Sequence, residues 1–457
     1  MRVVAWVIND VTRDSRVLRE AASLAAAGHD VTIMGAWTRD ELPVREERDG
    51  FTIIRVPVPR SHGLRQLIRA PWRSVQTRGQ GAVAALKNRP RKPGEAVRLG
   101  LEAVVILPWA LLRMAWYAVV NRLLGRPVLV GGLDYLRMWR VDLLGWGRNA
   151  LAAAPQADVH HAHDFEALPT AFKAAKRDGA RVVYDSHEIF GTWGVALAQP
   201  GWLRALYLRW ERRLARRAVG MVTVNRPIAD VLRARLGVRN IIVVHNAPAR
   251  WTPPAVAPDH LRKAAEIPAD EPIVLCHGGF QPKRGLEETA LAMLEPGLER
   301  AHLVFLGFRL PVIWPILHDP KLAGRVHYVP GVDPSEVLEW VSGADVDVMA
   351  ILPADQNSIM STPNKLFESI AAGVPVVSSD FPERRRIVVD DPDGPLGALC
   401  DPSSPESIAA AIRSVLDLPP AERDDLRARC LRAAHERWNW ETESARLVAL
   451  YAKIAAR

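Results

Sequence analysis

Cysteine is almost missing from this chain: Cys276, Cys400 and Cys430 are the only three in 457 residues, and they lie far apart. Three cysteines cannot build a disulfide framework, and without a CxxC pair neither a zinc ribbon nor a dithiol redox centre is encoded. That usage predicts a reducing, cytoplasmic setting. No leader is expected from the opening residues either. MRVVAWVIND has no basic start and no long apolar core, so it reads as an opening strand rather than a signal peptide. Charged residues make up 24% and hydrophobic residues 49%, which excludes a disordered chain and suffices for two cores at this length.

Charge is unevenly spread. Between Arg60 and Arg148 there are 16 Lys/Arg against 4 Asp/Glu, a local excess larger than the net +9 of the whole chain, so the remainder is slightly acidic. This segment combines KNRPRKP (Lys87–Pro93) with the apolar run LGLEAVVILPWALLRMAWYAVV (Leu99–Val120). The run is long enough to span a bilayer, but Glu102, Pro108 and Arg113 interrupt it. Residues 60–150 therefore predict helices lying in a membrane interface, with Trp72, Trp109, Trp116 and Trp139 at headgroup depth and arginines on anionic lipid. Packed or oligomeric helices are the competing account, and a span the remaining one.

Outside that segment, short apolar runs alternate with helical periodicity. Arg2–Ile8 predicts a strand, Ser15–Ala27 a helix closed by Gly28, and Asp30–Met34 the next strand. Further strands are predicted at Phe51–Val56, Val159–His161, Arg181–Tyr184, Gly220–Val224 and Ile241–Val244. A proline-rich stretch, APARWTPPAVAPD, then reads as a linker. A second series follows at Pro272–Cys276, His302–Leu306, Val326–Val329, Val346–Ala350 and Pro375–Ser378. The fold class is α/β: two Rossmann-like doubly wound domains facing a cleft, because open parallel sheets bind ligands at the carboxyl ends of their strands. The expected bounds are 1–248, a linker at 249–258, a second domain at 259–437, and a final helix over 438–457 that crosses back.

PNKLFESIAAGVPVVSSD, from Pro363, resembles the donor-binding helix and strand of GT-B glycosyltransferases, particularly retaining family 4. The resemblance implies that Glu368 holds the nucleotide ribose, since a carboxylate accepts hydrogen bonds from vicinal hydroxyls. HGGFQPKRGLEETALA (His277–Ala292) is similar to the glycine loop that faces the donor diphosphate. There Arg284 takes the place of a family lysine and Gly279 that of a family arginine, with Gly278, Lys283 and Lys365 beside them. HHAHDFEALP resembles the loop that supplies a histidine to the donor sugar, matching His163 with Asp164 after it. VVYDSHEIF brings His187 and Glu188, and RWNWETESARLVALY resembles the helix that returns to the first domain. The likeness covers nearly everything except 60–150. One departure stands out: the family's E-x7-E pair would put its first glutamate at position 360, which is Met360. Main-chain amides of Asn357–Thr362, with the side chains of Ser361, Thr362 and Asn364, are expected to serve the sugar instead.

Strand alternation puts His161 and His163 on one face and His160 on the other, which argues against a three-histidine metal site. Asp345-Val346-Asp347 matches the D-x-D of another glycosyltransferase fold but reads as a solvated strand edge, so no metal is expected. Asp14 and Arg16 either face the cleft or form an exposed pair at a helix start. Together these readings predict a metal-independent, retaining hexosyltransferase with no cofactor. It would move a sugar from a UDP- or GDP-linked donor to a lipid-linked or saccharide acceptor in cell-surface polysaccharide or glycoconjugate synthesis. It is expected in the cytoplasm, on the inner membrane face. The alternatives are a nucleotide-sugar 2-epimerase of the same architecture, or a non-enzymatic membrane or nucleic-acid binding protein. Charge clustered with aliphatic runs rather than a recognition motif argues against nucleic acid.

Overall fold

Two parallel sheets organise the chain in the computed structural model, which describes residues 1–59, 135–136, 138–192, 194–197, 199–254, 256, 258–308 and 310–456. The first has the order β3-β4-β2-β1-β5-β6-β7-β8. Its strands are β1 (Arg2–Trp6), β2 (Asp30–Trp37), β3 (Arg45–Arg48), β4 (Phe51–Pro57), β5 (Val159–His163), β6 (Arg181–Ser186), β7 (Gly220–Thr223) and β8 (Ile241–Val243). The second, ordered β11-β10-β9-β12-β13-β14, holds β9 (Ile273–Gly279), β10 (His302–Phe308), β11 (Val326–Pro330), β12 (Val346–Met349), β13 (Val376–Ser379) and β14 (Gly397–Cys400). Every strand predicted from apolar runs is present. β3 and β14 were not foreseen. β3 is REER, an antiparallel edge strand whose charges face water, and such edges carry no apolar signal.

Each sheet reverses direction once. Chain order runs outward from β1 toward β2 on one side and resumes at β5 on the other; in the second sheet the reversal falls between β9 and β12. At such points the strand-end loops splay apart and leave a crevice. Central strands are apolar on both faces because helices cover both sides, so the first sheet carries a core cluster on each side. One cluster includes Trp440, Leu447, Tyr451 and Ile454 of the last helix, Trp440–Ala455, which therefore packs on the N-terminal sheet.

Two expectations are corrected here. Trp139 is not an interfacial residue: it is 2% exposed, in a π-helical turn over Met138–Leu143, with Tyr207 at 4.7 Å and Phe165 at 5.1 Å between ring centroids. Trp146 is likewise buried and donates to the Gly35 carbonyl. The end of the basic segment thus belongs to the domain core. Trp72, Trp109, Trp116 and the Leu99–Val120 run lie outside the described residues, among which no helix is long and apolar enough to cross a membrane. Second, Asp347 is not on a solvated edge. β12 sits between β9 and β13, and the Asp347 side chain is fully buried.

Candidate active site

On the N-terminal side, β1 and β5 deliver their strand ends to the crevice. His163 is the last residue of β5, and the helix Asp164–Asp178 starts immediately after it, so no loop intervenes. The sharp change of direction is made at Asp164, with φ near +60°. Behind this turn lies a buried set of charges. Asp185, at the end of β6, receives Nε and Nη2 of Arg16 at 2.8 and 3.0 Å, and its Oδ2 lies 3.0 Å from His187 Nε2 and 3.4 Å from His163 Nδ1. Arg16 also reaches Glu20 and the carbonyl of Val244. It is 3% exposed, so it is neither an exposed helix-start pair nor a free cation. Asp14 caps its helix by accepting from the Val17 amide.

These groups set one another's charge. Burial alone would depress His187, but Asp164 and Asp185 override it and raise the imidazole to about 10. Asp185 is held well below the ordinary carboxylate range: burial opposes this, and Arg16 and His187 outweigh it. Burial lifts Glu20 to about 7, with Arg16 pulling the other way. His161 is driven well below its ordinary value by burial and by neighbouring His163, on which its ring stacks at 4.6 Å. His160 points to the opposite face, where it meets Trp6 and Asp178. Among the described residues one group has the donor atoms to hold a metal, Glu20, His161, His163 and Asp185, all within 4.8 Å of one another. The guanidinium of Arg16 already lies against both of its carboxylates.

Two cavities open at the strand ends. One, of about 420 Å3, is lined by Asn9, Asp14, Arg16, His187 and Asn246 from the N-terminal half and Asn364 from the other. The smaller, of about 240 Å3, includes His163, Asp164, Glu166 and Glu188 over Phe165 and Phe190. Glu166 falls within HHAHDFEALP and Asn246 at the end of the first domain, but neither was expected at the site.

On the C-terminal side, β9 ends in Gly278 and Gly279, where an added Cβ would meet nothing within 4 Å. The loop then turns through Lys283, at positive φ, into Gly285. Gly285 is fixed by close approach, since a Cβ there would sit 1.7 Å from the Ala350 carbonyl oxygen. Arg284 and Lys365 are half-buried, and neither makes an ion pair with a described residue. Glu368, on the helix Asn364–Ala371, is 30% exposed, and its Oε2 is 3.1 Å from His277 Nε2. His277 Nδ1 in turn lies 2.9 Å from Asp347 Oδ2. Sequence patterns brought in His277 only as the start of the glycine loop and Asp347 only as part of a D-x-D match, because their partnership joins different strands.

Ser361 and Thr362 sit at the seam between the domains. Asn225 Nδ2 donates to the Met360 carbonyl and to Thr362 Oγ1, and Asn357 Oδ1 accepts from the Ile189 amide. Arg384, fully buried, donates to the carbonyls of Ser358 and Ser361 and to Ser361 Oγ. The amides of Ser358, Ile359 and Ser361 already bond to Asp355 and Asn357. Those three main-chain donors are therefore spent within the fold rather than free for a sugar.

Two unpaired cations beside an open glycine turn, with the Arg284 charge acting on Glu188 of the other half, suit an anionic leaving group. Comparison with known proteins gives the same class. Sucrose-phosphate synthase from Thermosynechococcus elongatus matches with a TM-score of 0.68 at 17% identity, covering 100% of this chain and 99% of that one. Anabaena HepE in complex with UDP-glucose matches at 0.62 and 13% identity, covering 100% of each chain. The fold is that of the GT-B glycosyltransferases. In sequence, residues 271–417 match the model for glycosyl transferases group 1, and residues 95–247 match that for glycosyltransferase family 4. The D-inositol 3-phosphate glycosyltransferase of Xylanimonas cellulosilytica is 27% identical over 320 residues, 66% of this chain and 73% of that protein. The chain belongs to the group 1, family 4-like glycosyltransferases. The family match begins at residue 95, inside the basic segment, so the likeness reaches further than the motifs suggested.

Proposed function

We propose that this glycosyltransferase moves a hexosyl group from a UDP- or GDP-linked donor to a lipid-linked or glycan acceptor, in the synthesis of a cell-surface polysaccharide or glycoconjugate. The observation that carries the reading is the pair Arg284 and Lys365, unpaired beside the open Gly278–Gly279 turn, with Glu368 half-exposed on the same wall. Glu368 takes the ribose hydroxyls. Arg284, Lys365 and the glycine-turn amides take the diphosphate, and Ser361, Thr362 and Asn364 shape the entrance to the sugar site. His163 meets the donor sugar from the facing wall, with Asp14, Arg16, Asp164, His187 and Glu188 around it.

In this reading the bond from the sugar's anomeric carbon to the diphosphate oxygen breaks, and the acceptor oxygen bonds that carbon on the same face. The acceptor proton passes to the departing diphosphate, so configuration is retained and neither protein nucleophile, metal nor cofactor is required. HepE, of like fold, binds UDP-glucose, which supports a UDP donor. The excess of Lys/Arg in 60–148 supports a lipid-borne acceptor and a peripheral position on the cytoplasmic face of the membrane.

Binding of UDP and GDP to the purified protein, with Glu368→Ala and Arg284→Ala beside it, tests the donor site. One nucleotide should bind, and both variants should weaken it. Binding of neither nucleotide by folded protein would remove the transferase assignment of this cleft. Sedimentation with vesicles containing anionic lipid, against neutral vesicles, tests the membrane role; equal binding to both would end it.

A further inference from the structure

We infer that His277 is a positioning residue for nucleotide binding: braced from behind by Asp347, its imidazole holds the Glu368 carboxylate in the orientation that receives the ribose. This assignment rests on the ribose reading of Glu368 and adds to it the group that orients the carboxylate.

The geometry is a line of three side chains from three elements. Asp347, fully buried on β12, lies 2.9 Å from His277 Nδ1 and accepts a 2.5 Å bond from Ser369 Oγ. His277, buried near the end of β9, contacts Glu368 Oε2 from Nε2 at 3.1 Å. A neutral imidazole has one donor and one lone pair. Flanked by a carboxylate oxygen on each side, it would set a lone pair against one of them. The doubly protonated ring avoids this, and it places a buried cation between two anions. Burial by itself would lower its affinity for the second proton, yet Asp347 and then Glu368 raise it to about 9. Glu368 is thereby held at one oxygen, while the other has no partner among the described residues.

The surroundings show why an anchor matters. The charged groups near His277 are Asp347 from β12, Glu368 and Lys365 from the helix Asn364–Ala371, and Arg19, whose charge acts on Glu368 from the helix Ser15–Ala26. The Arg19 charge acts on the Glu368 carboxylate as His277 does, so the carboxylate has more than one cation near it. A long glutamate side chain has many rotamers to lose on binding, and fixing one in advance removes that cost.

The test is a double-mutant cycle on the full chain, read as Kd for UDP, or for GDP if that nucleotide binds tighter. His277→Ala should weaken binding about tenfold, the size of a lost charge-assisted contact, and should add less than about twofold in a Glu368→Ala background. His277→Gln keeps an N–H for Glu368 but cannot titrate. It should stay within about threefold of wild type at neutral pH, a single uncharged hydrogen bond being the difference. It should also lack the loss of affinity that wild type shows as pH passes the His277 transition. The nucleobase itself titrates in the alkaline range, so the limb is read as the difference between wild type and His277→Gln. Equal losses from His277→Ala in both backgrounds, or an identical alkaline limb in His277→Gln, would overturn the positioning role. If Glu368→Ala binds the nucleotide like wild type, the ribose reading itself falls, and the role of His277 falls with it.

Discussion

Asn225 donates its side-chain amide to the main-chain carbonyl of Met360 at 2.7 Å, tying the N-terminal domain to the segment that precedes the helix Asn364–Ala371. The Met360 side chain packs against the N-terminal core as well. Backbone and side chain of Met360 thus both serve the seam between the domains.

Asn225 has a second duty, since its Oδ1 accepts from the Ile228 amide and caps the helix Arg226–Leu236. Asn225→Ala removes the cap and the tie together and should cost about 2–3 kcal/mol. Asn225→Asp keeps the cap but sets a carboxylate against the Met360 carbonyl, so it should recover only part of that loss. Denaturant midpoints for the three proteins check the order.

The two walls of the glycine turn should respond in opposite ways. At Gly285, with φ +71° and the Ala350 carbonyl in the way, Gly285→Ala should lose more than about 2 kcal/mol or fail to fold. Gly279 has open space in front of it and no positive φ, so Gly279→Ala should fold within about 0.5 kcal/mol of wild type. If a diphosphate approaches this turn, the added methyl should weaken nucleotide binding in a stable protein. A nucleotide titration on the folded Gly279→Ala variant decides it.

Removing an unpaired cation breaks nothing in the fold. Arg284→Ala and Lys365→Ala should each leave stability within about 0.5 kcal/mol while weakening UDP about tenfold. Uridine, which has no phosphate, should bind all three proteins alike. The difference should shrink at high salt, because the contact is electrostatic and partly open to water. Calorimetric titration with both ligands separates phosphate recognition from a general loss of shape.

His187 makes stability depend on pH. Its proton affinity is raised on folding from about 6.5 to about 10, so its contribution is complete below pH 6.5 and disappears as pH rises through 10. Between pH 7 and 10 the melting temperature of wild type should fall. His187→Gln should start lower and fall less over that range. Parallel slopes in the two proteins would place the alkaline loss elsewhere. Asp185 acts at the other limb, because its lowered value lends stability that is present above the ordinary carboxylate range and lost toward strong acid.

Much of this molecule was legible in one dimension. Parallel strands buried on both faces are rich in Val, Ile, Leu and Ala, so β1, β9 and β10 announce themselves, and the helix carrying Glu368 declares itself by pattern alone. Edge strands need no such runs, and REER and GALC were passed over for that reason. Local sequence also determined which face His161 and His163 share, because alternation along a strand is covalent geometry.

What tertiary structure alone decided is who neutralises whom. Asp347 looked like a surface residue because a strand's place in its sheet is set by crossovers, and only the order β9-β12-β13 buries it beside His277. Arg16 and Asp185 are 169 residues apart, Asn225 and Met360 are 135 apart, and Tyr451 reaches His161 across 290. A buried charge or polar group must find its complement wherever the fold delivers one, since leaving it unpaired costs more than a typical net contact contributes. Sequence set the strands, the domains and the residues that could do chemistry; packing chose which of those were consumed in pairs and which, Arg284 and Lys365 among them, were left half-buried with no ion-pair partner among the described residues.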